Sequence, residues 1–247
     1  MAELRALELA LTEIVAQGGA DAPRRICEAS VAALPVDRAA ITMMAGAAYQ
    51  EPIWASDDVA RELDELQFSL GEGPCVEAFT ERRPVLVADL AELEERADER
   101  WPVFAAAARR TPVRALFVLP LQAGAITVGV LDLYRDTPGA LEPDELTGAL
   151  RTADAAMWTL LGLRDGVSGS GGVDDAGRAD PHGWLSGSQL HRTEVYQATG
   201  MVLAQMEVTP EVALSALRAY AFAHDRTIVE VAREVVARRL RFEEEKR

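Results

Sequence analysis

Asparagine is absent from this 247-residue chain, and lysine occurs once, as Lys246, against 24 arginines. Cysteine occurs only at Cys27 and Cys75, too few for a disulfide framework. Histidine occurs three times, as His182, His191 and His224, so a histidine-ligated haem or metal site is excluded from the long stretch before residue 182. No run reaches the roughly 18 consecutive apolar residues of a membrane span. The first residues, Met-Ala-Glu-Leu-Arg-Ala-Leu-Glu, offer neither the basic segment nor the apolar segment of a secretory signal. These absences make the cytoplasm the expected compartment. They assign no catalytic residue and no metal, leave any cofactor unnamed, and predict neither an enzyme nor a membrane partner.

What is present is enough to bury a core: 49% of the residues are hydrophobic. The net charge of −15 argues against nucleic acid for the chain as a whole. Its distribution says something else. Residues 186–247 hold nine basic and nine acidic residues, so the whole negative excess lies before them. Such segregation predicts two units with different surfaces.

Apolar spacing predicts the elements. Leu4, Leu7, Leu11 and Ile14 form a heptad seam on a helix over 3–17 that Gly18-Gly19 ends, and a second helix covers 21–34. Strands follow at 38–44 and 49–55, then a helix at 57–66. Gly71-Glu-Gly-Pro-Cys75 is a tight turn opening a helix near 74–82. A short strand at 84–87, an acidic loop and a helix at 101–110 lead to two apolar strands, 115–122 and 125–134, joined at Ala123-Gly124. A long helix begins at Pro143, with Leu146, Leu150, Ala153, Met157 and Leu160 as a second seam. Both seams fit helices packed on their own sheet, and equally a dimer interface. Residues 166–187, with seven glycines, read as a flexible linker.

This order describes an antiparallel sheet flanked by helices, an α+β unit over 1–165. On Gly71-Glu-Gly-Pro-Cys75 and Gly129-Val-Leu-Asp-Leu-Tyr134, residues 20–165 resemble a GAF domain. The resemblance implies a sensor with a small molecule held between sheet and helices, and terminal helices that support a homodimer. Trp54, Cys75, Phe117 and Tyr134 are the candidate pocket residues; for each, a place in the core is the simpler alternative. The family's cyclic-nucleotide signature needs Asn and Lys, which this stretch lacks. Cys75, at a helix start, is either a small buried hydrophobe or a redox-sensitive thiol. A bilin attached there lacks its usual companion histidine.

Beyond the linker, three helices are expected, an all-α unit over 188–242. The first, about 186–206, carries Val195, Ala198, Val202 and Met206 on one face, and Gly200 at its middle, where glycine costs about 1 kcal/mol relative to alanine. The second begins at Thr209-Pro210, with Ala213, Ala216, Leu217 and Tyr220 inward and Arg218 and Phe222 outward. The third begins with the capping box Thr227-Ile-Val-Glu230, buries Ile228, Val231, Ala232 and Val235, and runs to about Leu240. An outward Phe beside an outward Arg can stack on an unpaired base and reach a phosphate.

Val195-Tyr-Gln-Ala-Thr-Gly-Met-Val-Leu-Ala204, Leu217-Arg-Ala-Tyr-Ala221 and Val231-Ala-Arg-Glu-Val-Val236 resemble an ANTAR domain. The resemblance implies transcription antitermination by a dimer that holds RNA hairpin loops of a nascent transcript. It places Arg192, Thr199, Gly200, Arg218, Arg226 and Arg233 toward the RNA, to which the outward Phe222 adds. Thr199 stands where the family usually has Lys. Two other readings stay open: a dimeric protein-interaction module that binds no RNA, and a small thiol enzyme.

Overall fold

The computed structural model describes residues 2–46, 48–95, 100–169 and 188–242. The chain divides into two compact units, Met1–Asp174 and Asp175–Arg247. Most of the stretch read as a linker, and the tail from Glu243, lie outside the described residues.

The first unit is a five-stranded antiparallel sheet in the order β2-β1-β5-β4-β3. The strands are β1 (Arg38–Met44), β2 (Gln50–Ala55), β3 (Val85–Val87), β4 (Ala115–Ala123) and β5 (Ile126–Arg135). Helices cover both faces, which is why β4 and β5 read as nearly continuous apolar runs. Helices α1 (Ala2–Gln17), α2 (Ala22–Ala33) and α7 (Pro143–Gly169) share one core with the sheet: Leu7, Leu11, Ile14, Ile26, Cys27, Phe117, Leu131, Met157 and Leu160 are buried together. Helices α3 (Asp58–Leu70), α4 (Pro74–Glu81) and α6 (Pro102–Ala108) form the other core, with Leu63, Cys75, Phe104, Leu116, Val130 and Tyr134. A short helix, α5 (Glu92–Glu95), occupies the expected acidic loop.

Local chemistry fixes the ends of these helices. Asp57 caps α3 by accepting the Ala60 N–H at 2.8 Å, and Gly71 ends it at φ 68°. Glu72 accepts from Val103 N at 2.8 Å and Phe104 N at 2.7 Å, which binds the turn before α4 to the start of α6. The two heptad seams meet each other: Leu7, Leu11 and Ile14 of α1 and Ala153, Met157 and Leu160 of α7 lie in one core. A side chain at Gly148 of α7 would come within 2.8 Å of Leu34 and 3.2 Å of Leu4, so glycine permits this close packing. Helix α7 also continues to Gly169, past the expected linker boundary at 166.

The second unit is a bundle of α8 (Ser188–Met206), α9 (Pro210–Ala223) and α10 (Ile228–Val236). Val195, Ala198 and Val202 meet Ala213, Leu214, Leu217 and Ala221, together with Ile228, Val231, Ala232 and Val235, all buried. The Thr227–Glu230 capping box is complete. The third helix stops at Val236 rather than near Leu240, and Arg238 adopts φ 60° just beyond it. The chain then returns to the bundle: Phe242 N donates to Gln205 Oε1 at 2.8 Å, and the Phe242 ring meets Tyr220 edge-on at 5.5 Å.

Candidate functional site

In the sensor-like unit the chemistry gathers beneath α3 and α4. Strands β1 and β5 approach so closely that a Cβ at Gly129 would lie 2.2 Å from the Thr42 carbonyl oxygen. Around this contact four polar side chains are buried in a core otherwise apolar: Thr42 (1% exposed), Asp64 (6%), Gln67 (0%) and Asp132 (1%). Thr42 Oγ1 donates to Asp64 Oδ1 at 2.7 Å. Gln67 Nε2 donates a long bond to Asp132 Oδ1 at 3.4 Å, and its Oε1 accepts the Cys75 N–H at 2.7 Å. Gly73, at φ 131°, presses on this amide: a Cβ there would sit 2.8 Å from Gln67 Cγ. One glutamine therefore links the central strand, α3 and the first turn of α4.

Burial, and then the neighbouring Asp64 carboxylate, push Asp132 up to about 7 from an ordinary 3.8, while the Gln67 amide and the nearby Tyr134 hydroxyl act the other way. The buried Tyr134 hydroxyl is close enough to act on Asp132, yet its geometry falls short of a hydrogen bond. Burial raises Tyr134 well above its usual range, and the negative charges of Asp132 and Asp64 add to that. Burial likewise raises the Cys27 thiol, which keeps it protonated and unreactive at neutral pH.

The four expected pocket residues do not share one cavity. Cys75 and Tyr134 lie in the α3/α4 core. Phe117 lies in the core on the opposite face of the sheet, and Trp54 packs partly buried against that same core. Strand alternation is the reason: Phe117 points away from the face that Leu116 and Val118 occupy. Cys27 and Cys75 are separated in the same way, and both are buried and outside any disulfide. Sequence reasoning missed Thr42, Asp64, Gln67 and Asp132. A signal existed for one of them, since Asp132 is a carboxylate inside Val128-Gly-Val-Leu-Asp-Leu-Tyr134.

In the helical unit the expected RNA-facing residues divide. Arg192 is 1% exposed and Thr199 7%, and Thr199 Oγ1 donates to Val195 O at 2.8 Å within its own helix. Both lie on the buried face of α8, at the spacing of Val195 and Val202, so neither presents a side chain to a ligand. Gly200 is exposed, with nothing within 4 Å of where a Cβ would be. Arg218 and Arg226 are half-buried, and Arg226 Nη2 donates to Glu230 O at 3.3 Å. Arg233 is exposed and pairs with Glu194 of α8 at 2.8 Å. Phe222 is 70% exposed, an unusual exposure for a large aromatic residue. On α9 the inward set is Ala213, Leu214, Leu217 and Ala221; Ala216 and Tyr220, expected inward, are only half-buried.

The GAF domain family model matches residues 22–160, and the ANTAR domain model matches residues 185–236. No curated protein matches the chain. Among solved structures, it is similar to the GAF domain of a phosphoenolpyruvate-protein phosphotransferase from Coxiella burnetii: 13% identity, 68% of this chain and 98% of that one covered, TM-score 0.53. The corresponding Acinetobacter domain gives 12% identity, coverage of 70% and 96%, and TM-score 0.49. The free methionine-R-sulfoxide reductase of Neisseria meningitidis gives 13%, 66% and 89%, and 0.43. A five-stranded antiparallel sheet with helices on both faces, matched over more than half the chain, defines a GAF domain protein. The chain belongs to the GAF domain family and carries an ANTAR domain after it, an arrangement that fits a signal-responsive regulator of the antitermination kind.

Proposed function

We propose that this protein is a cytoplasmic homodimeric regulator that binds hairpin loops of nascent RNA through its ANTAR domain, prevents termination, and takes its signal through the GAF domain. The observation that carries the reading is the ANTAR match laid over a bundle whose second helix exposes Phe222 one turn after Arg218. An exposed ring supplies a stacking platform, worth about 1–3 kcal/mol per base, and neighbouring guanidinium groups supply phosphate contacts. Gly200, open on the surface of α8, admits close approach of a backbone. With Arg192 and Thr199 buried, the proposed contact set is Gly200, Arg218, Phe222, Arg226 and Arg233.

Self-association is proposed through α1 and α7, where Leu9 (66% exposed), Val15 (36%), Leu150 (43%) and Trp158 (58%) leave apolar surface beside a shallow groove lined by Glu8, Thr12, Arg151 and Ala155. The proposed signal is a small molecule or a redox change acting on the GAF domain. No catalytic role is proposed, and the placement of Cys27 and Cys75 on opposite faces of the sheet speaks against a thiol pair.

A protein-interaction module is the second reading. The exposed row Val212, Ser215, Ala219 and Phe222 on α9 carries no charge, which suits a protein partner. Titrating the full chain with a twin-hairpin RNA separates the two. Saturable binding weakened by Phe222→Ala supports the first reading, and a folded dimer without RNA affinity supports the second.

A further inference from the structure

The ANTAR match ends at residue 236, and residues 237–242 form a short arm beyond it. Arg238, at φ 60°, turns the chain out of α10. The Arg239 and Leu240 N–H groups then both donate to the Glu234 carbonyl oxygen, at 2.8 and 3.2 Å. Arg239 also grips the Glu234 carboxylate with two side-chain bonds, at 2.9 and 3.1 Å. At the far end the Phe242 N–H reaches Gln205 Oε1 at 2.8 Å, and the Phe242 ring stands edge-on to Tyr220. The arm is pinned at both ends, first to α10 and then to α8 and α9.

Its side chains sort by polarity. Leu240 and Phe242 are half-buried, and Arg238, Arg239 and Arg241 are exposed. From 239 to 242 the two kinds alternate, as in a chain laid along a surface with its apolar side down. Three of the eight arginines of residues 186–247 fall within positions 238–241. Arg239 is engaged with Glu234, but among the described residues no carboxylate pairs with Arg238 or Arg241. Glu234 also links the arm to the turn before α10. The Arg239 hydrogen bonds, first, and then the charges of Arg239 and Arg226 hold its carboxylate below the ordinary 4.5. Arg226 and Arg239 therefore stand near one carboxylate, and the arm continues the basic surface that Arg226 begins.

We propose that residues 238–241 are a phosphate-binding arm appended to the ANTAR domain: Arg238 and Arg241 hold the RNA backbone beside Arg226, and the Phe242 anchor keeps them in place. The inference rests on the RNA-binding reading and adds to it a contact beyond the family match. A guanidinium fork takes two phosphate oxygens at once and is charged at every physiological pH. An arm already pinned loses less freedom when RNA arrives than a free tail would. Phosphate contacts of this kind read no base, so the arm contributes affinity and salt dependence rather than sequence preference.

The test is equilibrium titration of the full chain with a twin-hairpin RNA across a salt series, native chain against variants. In the double variant Arg238→Gln/Arg241→Gln, the slope of log K against log salt is expected to become shallower by about 1.5, for two contacts at roughly 0.7–0.9 each. Binding is then about thirtyfold weaker at about 0.1 M salt, and the two lines converge toward about 1 M. Both side chains are exposed, so thermal unfolding of the double variant matches the native chain. Phe242→Ala frees the arm and keeps its charge, so binding weakens several-fold with the slope retained; unchanged affinity there overturns the anchoring. The double variant decides the matter if Phe242→Ala folds poorly. RNA binding with the same slope in the double variant overturns the arm, whether or not affinity falls, and leaves the RNA-binding reading standing. No RNA binding by the folded native chain overturns both.

Discussion

Gln67 Oε1 accepts the backbone N–H of Cys75 at 2.7 Å, so the first turn of α4 depends on a side chain of α3. The helix begins at Gly73 and Pro74 and has no side-chain cap of its own. An N-terminal N–H that would otherwise need water is satisfied inside the core.

Gln67→Leu keeps the volume and removes both ends of the link. The Cys75 N–H then loses its Gln67 acceptor in the buried core, at a cost of about 1–3 kcal/mol. Chemical denaturation of the full chain, followed by a probe in the GAF domain, is expected to show that loss. A change below about 0.5 kcal/mol would mean that the link is incidental.

The capping box of α10 makes stability depend on pH. Hydrogen bonds from the Thr227 backbone and hydroxyl hold Glu230 below the ordinary 4.5. A carboxylate lowered in the folded state contributes stability above its unfolded value, and loses it as pH falls through the lower folded one. Helicity of the ANTAR domain is therefore expected to fall below about pH 4.5 in the native chain, and to fall less with pH in Glu230→Gln. Equal acid sensitivity in both would contradict this.

Arg192 and Arg226 separate folding from binding. Arg192→Ala empties a fully buried position and is expected to cost about 2–4 kcal/mol of bundle stability. Arg226→Ala is expected to leave stability nearly unchanged and to lower the salt slope of RNA binding by about 1. The check is thermal unfolding alongside RNA titration of each variant. The opposite pattern would return Arg192 to the RNA-facing set.

Trp158→Glu places a charge in the exposed row of α7 that also carries Leu150. A buried tryptophan anchor is worth about 2 kcal/mol, so self-association is expected to weaken about thirtyfold. Sedimentation of the full chain measures it. An unchanged dimer would put the interface elsewhere.

These residues also show where the amino-acid sequence was legible. The Thr227 capping box and the Thr209–Pro210 start are local, and the helix starts they predict are those observed. The heptad seams correctly marked Leu7, Leu11 and Ile14 as inward, but periodicity does not name a partner, and these side chains share a core with α7 of the same chain. That Trp54 and Phe117 lie with the core on the face opposite Cys75 and Tyr134 was not legible, because the face of a sheet depends on register, which only the pairing of β1, β2, β4 and β5 settles. Arg192 was legible and overlooked: it precedes Val195 by three and Thr199 by seven, the spacing of the buried stripe. The buried polar group was not legible, because Thr42, Asp64, Gln67 and Asp132 gather only when α3 packs on the sheet.

The central claim is RNA recognition by the ANTAR domain, and the direct measurement is equilibrium binding of the full chain to a twin-hairpin RNA across a salt series. Saturable binding is predicted, with log K falling against log salt at a slope of about −2 to −3 for roughly three phosphate contacts. Phe222→Ala is predicted to weaken it about tenfold without changing the slope. No binding at low salt by a folded dimer would contradict the account, and Phe222 would then belong to a protein interface.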